Sequence, residues 1–424
     1  MGKVKILSSN NLHGDITLPA SKSVLHRLLI ASMLCDGTSI IHHTSLSDDI
    51  LATISCCEAL GAKIEVLDEE IKVIGVSNFH LDHDVTLNCG ESGTTLRLLI
   101  PICTLFDRDI TIIGKESLFV RPLYVYEKLF SENNAKFERD GDKIIVGGKL
   151  TNFSHAIDGS ISSQFISGIM FVCAMQEKNI TLKVHKLQSV PYVNLTIETL
   201  KRFGVHIDFN HYLNKIKVYG GTKLRPVIEE SSGDYSHAGN FFVLRALTSS
   251  SITFHGLDPL SMQGDKAIIR IIDNYFKHGQ IYANEKKGLL KRNKDIVIDV
   301  KDIPDLGPII MVLLTHSGGY IKNFKRLIFK ESNRVLSMIE ELRKFGVVVK
   351  EEGNKLYIPK YMGEPLRGDI DSHNDHRICM AMVIMALCYH QDDVVVNDYE
   401  VVNKSYPNFF KDLERIGVKL EYHN

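Results

Sequence analysis

The sequence has almost no net charge. Its 50 lysines and arginines face 51 aspartates and glutamates, for a formal charge of -1. A nucleic-acid binder would carry a basic excess, so any strong anion site here must be a local cluster. Long apolar runs are missing too. The longest, "ICMAMVIMALCY", falls well short of the roughly 18 residues that span a bilayer. No C-x-x-C pair occurs among the eight cysteines, most of which sit in apolar stretches where a reduced thiol behaves as a small hydrophobe. That argues against a zinc ribbon or a disulfide framework and fits a reducing compartment. The G-x-x-x-x-G-K-[ST] phosphate loop is absent, and "MGKVKILSSN" at the start holds no signal-peptide core. With 44% apolar and 24% charged residues, a cytoplasmic globular protein is expected. Its 424 residues exceed one ordinary core and point to two domains.

One pattern recurs. "CEALGAKIEV" begins at Cys57, "LKRFGVHIDF" at Leu200, "LRKFGVVVKE" at Leu342 and "LERIGVKLEY" at Leu413, with weaker copies "LFSENNAKFER" from Leu129 and "YFKHGQIYA" from Tyr275. Each reads as a helix end, then Gly or Asn in a left-handed cap, then an alternating strand. The cap positions are 61, 134, 204, 279, 346 and 417, spaced 67 to 75 residues apart. Such even spacing predicts six α/β units, three per domain. Between the caps lie six helices apolar nearly all round, over 24–34, 94–105, 165–176, 237–247, 307–314 and 377–388, each expected to be buried under sheets. The polar stretch "IEESSGDYSHAG" (228–239) follows the third repeat and is the predicted crossover between domains.

Nearly every buried helix starts in a polar cluster: "SKSVLHR" (21–27), "GESGTTLR" (90–97), "SSQF" (162–165), "GDYSHAG" (233–239), "PDLGP" (304–308) and "NDHR" (374–377). Any one of these alone is more often a plain N-cap. Together they offer several helix N-termini, which attract anions. Lys22, Arg27, Arg97, Arg121 and Arg377 add cations suited to phosphate and carboxylate. In "RLIFKESNRVLSMIEELRKFG" (326–346), Lys330 and Arg334 stand four apart, so they are expected to share a helix face. Such a pair repels unless Glu331 or a shared anionic ligand offsets it. His373 and His376 lack H-x-x-x-H spacing, so no metal site is expected.

These motifs, in this order along the whole chain, resemble the 5-enolpyruvylshikimate-3-phosphate (EPSP) synthases, or 3-phosphoshikimate 1-carboxyvinyltransferases. "LPASKSVLHR" is similar to the family's P-G-S-K-S-x-x-x-R opening and "GESGTTLRLL" to its G-N-[SA]-G-T-x-x-R motif. "LFVRPL", "SSQF", "SVPY", "SMQGD", "IPDLGP", "LIFKESNR", "NDHR" and "NKSYPNFF" each have a counterpart. The resemblance implies a two-domain α/β fold of the enolpyruvyl-transferase type. Residues 1–20 with 233–424 would form one domain and 21–232 the other, with the active site in the cleft between them. It implies attack of the shikimate-3-phosphate 5-hydroxyl on C2 of phosphoenolpyruvate, a tetrahedral ketal-phosphate, and loss of phosphate. No metal or organic cofactor, no nucleic acid and no membrane are implied, a monomer is expected, and glyphosate is expected at the phosphoenolpyruvate site.

Roles then follow residue by residue from the resemblance. Lys22 is implied to act on both substrates. Ser23, Arg27, Ser162, Ser163, Gln164, Ser189 and Lys330 are implied for shikimate-3-phosphate, with Tyr192 in the same loop as Ser189. Gly93, Arg121, Gln164, Arg334, Arg377 and Lys404 are implied for phosphoenolpyruvate. Asp305 would be the base for the 5-hydroxyl and Glu331 the proton donor to the methylene carbon. This sequence departs from the family at Glu91 and Arg326, where Asn is common, at Val190, where Lys is common, and at His237 and Asn240, where small apolar residues are usual. Three rival readings compete with this one. UDP-N-acetylglucosamine enolpyruvyl transferases carry a mobile-loop Cys that "GKESLFVRPL" lacks. A non-catalytic paralogue that binds phosphorylated metabolites would have lost Asp305, Glu331 or Lys22. An RNA-end-processing relative of the fold would be expected to be basic.

Overall fold

The computed structural model describes residues 2–8, 11–248, 250–284 and 296–423. Contacts divide the chain into two units, Met1–Pro19 with Gly233–Asn424, and Ala20–Ser232.

The Ala20–Ser232 unit repeats one motif three times. A strand pairs in parallel with the next, which pairs antiparallel with one arm of a hairpin. Ile228–Glu230, Thr38–His42, Glu70–Ile74 and Lys63–Val66 lie in that order. So do Val85–Asn88, Ile110–Ile113, Lys143–Gly147 and Lys136–Asp140, and likewise Ile157–Asp158, Ile180–His185, Lys215–Val218 and Ile207–Asn210. One face of each hairpin alternates into the core, as at Ile71 and Val73 or Ile144 and Val146. Inside run the helices Lys22–Met33, Gly93–Ile102 and Ser163–Ala174. Gly168 lets the last two approach closely: a Cβ there would stand 2.7 Å from the Arg97 carbonyl oxygen.

The other unit uses the same parts. Val297–Asp299, Gly319–Lys322, Lys355–Ile358 and Lys350–Glu352 form one sheet. Ile370–Asp371, Val394–Asn397, Lys3–Ser8 and Lys419–His423 form another. The first strand of the chain thus sits between two of the last, which ties the N-terminus to the C-terminal half. His13–Thr17 pairs in parallel with Ser251–His255. The inner helices are Tyr235–Thr248, Gly307–Leu314 and His376–Cys388. The last is buried along its whole length, and each of its large apolar side chains contributes about 1.5–3 kcal/mol by leaving water.

The caps at Gly61, Asn134, Gly204, Gly346 and Gly417 all have left-handed φ, between +51° and +105°, and each leads into a strand. Gly279 does not follow the pattern. The helix Ala267–Asn284 runs through it, so the expected cap and strand there are overturned. Ile268, Ile271, Ile272, Tyr275 and Phe276 keep a helical apolar stripe up to that point, and one Gly inside a helix costs only about 1 kcal/mol. All eight cysteines are buried free thiols. No helix among the described residues is long and apolar enough to cross a membrane.

Candidate active site

In the Ala20–Ser232 unit the inner helices begin one or two residues earlier than their apolar runs, so the polar residues form their first turns. Lys22 is the first residue of its helix, and its Nζ lies 2.7 Å from Oδ2 of Asp49. Asp49 comes from the first turn of the neighbouring helix Asp48–Ala59. Arg27 is more unusual. It is 1% exposed, and its guanidinium donates to Thr196 Oγ1 at 2.7 Å, the Ser23 carbonyl at 2.6 Å, the Tyr192 carbonyl at 3.1 Å and Ser167 Oγ at 3.3 Å. All four acceptors are neutral. No carboxylate lies within ion-pair distance of Arg27 among the described residues, and burial pulls its pKa down to about 10.

Gln164 links two other predicted segments. Its Nε2 donates to Thr94 Oγ1 at 2.8 Å, and its Oε1 accepts from Arg97 Nη1 at 3.0 Å. Ser162 caps the helix before it, accepting from the Gln164 N–H at 3.2 Å, and Ser163 is buried beside it. Ser189 precedes the helix Val190–Arg202 in a left-handed conformation, φ 53°. Gly93 opens its helix with Arg121 against it, since a Cβ at Gly93 would lie 2.6 Å from Arg121 Nη1. The buried Nε of Arg121 has no acceptor among the described residues. Glu91 is paired with Lys115, which removes the unfavourable acid that the departure from Asn would otherwise create.

In the other unit six predicted residues converge. Asp305 sits in the 3₁₀ turn Pro304–Leu306, and its Oδ1 lies 3.0 Å from Lys330 Nζ and 2.9 Å from Arg334 Nη1. Its Oδ2 is 4.0 Å from Arg377 Nη2. Glu331 lies 2.7 Å from His376 Nδ1, 3.6 Å from Lys404 Nζ and 3.8 Å from Arg334 Nη2. Burial alone would raise the pKa of Asp305, but Lys330, Arg377 and Arg334 outweigh it and hold the carboxyl well below the usual range. Burial likewise opposes ionisation of Glu331, and His376, Lys404 and Arg334 reverse it. Lys330 is brought down to about 8 by burial, with Asp305 opposing and Arg334 and Arg326 assisting. Arg377 keeps its Nε and Nη1 buried without acceptors among the described residues.

The helix-face reading of Lys330 and Arg334 is corrected. The helix starts only at Arg334, and Lys330 ends the preceding 3₁₀ turn Phe324–Phe329 in an extended conformation. The two cations meet at Asp305 through the bend between these elements. Asp375 was missed. It caps the helix His376–Cys388 through the Arg377 N–H and grips Arg334 at 2.8 and 3.2 Å. Asp49, Thr94 and Asp265 were missed as well. Asp265 is buried and bonded to Ser236, and burial with Asp305 nearby pushes its pKa up to about 7. His237, unaccounted for in the sequence, packs on Tyr406 with ring centres 5.1 Å apart, and Asn240 donates to its carbonyl at 3.3 Å.

Glu331, Asp375 and His376 bring possible metal-ligand atoms within 4.8 Å of one another, a grouping that spacing along the chain could not reveal. Arg334 pairs with both carboxylates and Lys404 with Glu331, so their charge is already offset by cations. The surplus of buried, under-satisfied guanidinium groups suits multiply charged anions instead.

Two α/β units with cationic helix starts define an enzyme class that handles small, multiply anionic substrates. The comparisons agree with that class. Residues 6–413 match the family model described as EPSP synthase (3-phosphoshikimate 1-carboxyvinyltransferase). The chain is 38% identical to the 3-phosphoshikimate 1-carboxyvinyltransferase of Clostridium novyi (strain NT), over 98% of each chain. It is 34% identical to that of Clostridioides difficile (strain 630), over 100% of this chain and 99% of the relative. A solved EPSP synthase from Acinetobacter baumannii shares the fold, with a TM-score of 0.75 at 22% identity over both full chains. The chain belongs to the EPSP synthase family.

Proposed function

We propose that this chain transfers the enolpyruvyl group of phosphoenolpyruvate to the 5-hydroxyl of shikimate-3-phosphate and releases phosphate. The observation that carries the reading is the convergence of Lys330, Arg334, Arg377 and Lys404 on Asp305 and Glu331. In the ligand-free state these cations keep both carboxylates ionised and poorly basic. An arriving phosphate or carboxylate draws the cations to itself, and Asp305 then becomes basic enough to take the hydroxyl proton. The freed oxygen forms a bond to C2. As Lys404 and Arg334 turn to the anion, the proton affinity of Glu331 rises; it takes a proton from solvent and passes it to the methylene carbon. In the elimination the Glu331 carboxylate takes a proton back from the methyl group while the C–O bond to phosphate breaks, the leaving phosphate accepts the proton held on Asp305, and the enolpyruvyl ether remains.

Shikimate-3-phosphate is assigned to Ser23, Arg27, Ser162, Ser163, Gln164, Ser189, Asp305 and Lys330, and phosphoenolpyruvate to Gly93, Arg121, Gln164, Arg334, Arg377 and Lys404. Lys22 is assigned to both, and the two sets are proposed to serve one pair of substrates. Incubation with both substrates in the presence of a chelator should release phosphate, whereas UDP-N-acetylglucosamine as acceptor should release none. No phosphate from shikimate-3-phosphate would overturn the reading.

Two results are expected from this assignment. The kcat/KM for shikimate-3-phosphate should fall on the alkaline side near pH 8, as Lys330 loses its proton. In Lys330→Met that limb should vanish from a lower plateau, and a wild-type profile level through pH 8 would count against the role. Gly93 has no left-handed φ, so alanine there brings no backbone strain, but its methyl would meet the flexible end of Arg121. Gly93→Ala should therefore fold normally. Its KM for phosphoenolpyruvate should rise roughly tenfold or more, as expected for a displaced binding group. Glyphosate inhibition should weaken, with the other substrate little affected. Inhibition curves and both KM values, with a melting temperature as control, check this.

A further inference from the structure

The helices that carry Lys22, Asp49 and Gly93 are joined behind their first turns by a run of buried polar atoms. His26 Nδ1 lies 2.7 Å from Thr53 Oγ1, and Thr53 Oγ1 lies 2.6 Å from Thr95 Oγ1. Thr95 donates to Ser92 Oγ at 2.7 Å. All four residues are 0% exposed. Ser92 Oγ also accepts the Thr95 N–H at 3.2 Å, the bond that caps the Gly93–Ile102 helix. The Thr53 hydroxyl lies 3.3 Å from the carbonyl of Asp49, whose carboxylate holds Lys22.

The run has a direction. Burial, followed by Lys22 and Arg27, holds the His26 imidazole well below its ordinary pKa, so it is neutral and has one N–H. With the Thr95 proton on Ser92, the short 2.6 Å contact is filled when Thr53 donates to Thr95 in preference to the Asp49 carbonyl at 3.3 Å, and Thr53 then accepts from His26. That places the imidazole proton on Nδ1. Apolar residues of similar size would fill the same space without the cost of burying three hydroxyls and an imidazole, so packing alone does not account for them.

We propose that His26, Thr53, Thr95 and Ser92 are positioning residues that fix the start of the Gly93–Ile102 helix against the helices of Lys22 and Asp49, and so set the affinity for phosphoenolpyruvate. The inference rests on the function proposed above. Preorganised helix-start donors are effective only when held to a fraction of an ångström, and this run links all three starts.

Thr95→Val keeps the shape and removes both hydroxyl links, while Thr95→Ser keeps them. Thr95→Val should raise the KM for phosphoenolpyruvate and weaken glyphosate inhibition by roughly 5- to 30-fold, the effect of leaving buried polar partners unmet. The KM for shikimate-3-phosphate should stay nearly constant, and Thr95→Ser should restore the parent values. A lower melting temperature with unchanged or equally changed KM values would make the run merely structural and overturn the proposal. Nitrogen-15 NMR of the ligand-free parent supplies a readout independent of turnover. His26 should show an Nδ1–H signal that is lost or shifted in Thr53→Val, and an Nε2–H tautomer would overturn the proposed direction. If the parent releases no phosphate from the two substrates, the functional reading falls, while the imidazole signal still decides the network.

Discussion

Asp305→Asn and Glu331→Gln should each lower kcat by roughly 10²–10⁴-fold, the usual contribution of a positioned acid or base, while shikimate-3-phosphate still binds. Both changes keep the shape and abolish proton transfer. They also remove negative charge from a cluster in which Lys330, Arg334, Arg377 and Lys404 already crowd the carboxylates, so anion binding should hold or tighten. Titration calorimetry with shikimate-3-phosphate, beside steady-state kcat, separates the two effects. Near-normal kcat in either variant would remove that residue from proton transfer. Stability supplies a second signature. Both carboxyls have folded-state pKa values below their unfolded ones. Each therefore contributes stability that is present above about pH 4 and lost as the pH falls through the folded value. The variants should melt below the parent at neutral pH, and the gap should narrow in acid.

The two kinds of information in the sequence differ in reach. Helix interiors such as Ile378–Cys388 and caps such as Gly204 are local facts: apolarity all round and a left-handed φ leave marks at fixed offsets. The same logic failed at Gly279, because one glycine does not stop a helix whose apolar stripe leads up to it. In the site, the cations were legible because Lys or Arg in a buried helix start is conspicuous. Their acidic partners were not. Asp49 reads as an ordinary first-turn acid, yet it holds Lys22 from a different helix. Asp375 reads as a cap, and it is one, but the same carboxylate grips Arg334 from 41 residues away. For Lys330 and Arg334 the four-residue spacing imitates a helix face, but the chain bends between them.

Arg27→Met should raise the KM for shikimate-3-phosphate by roughly 30- to 5,000-fold, with no comparable loss of stability. The range corresponds to the about 2–5 kcal/mol lost when one partner of a buried, hydrogen-bonded charge pair is truncated. The expectation follows from what surrounds the guanidinium. Its four acceptors are neutral, so the ligand-free fold holds a buried cation at a cost, and burial has pulled its pKa down to about 10. A phosphate monoester repays that cost by supplying the missing negative charge in a geometry that matches a planar fork. Methionine fills similar volume without the charge. The hydroxyls it abandons keep each other, since Thr196 Oγ1 donates to Ser167 Oγ at 2.7 Å. The melting temperature should hold or rise, and the phosphoenolpyruvate KM should move far less than the shikimate-3-phosphate KM. Arg27→Lys, which restores the charge but not the fork, should fall between the parent and Arg27→Met. An unchanged shikimate-3-phosphate KM in a folded Arg27→Met variant would show that the buried guanidinium serves the core and not the substrate.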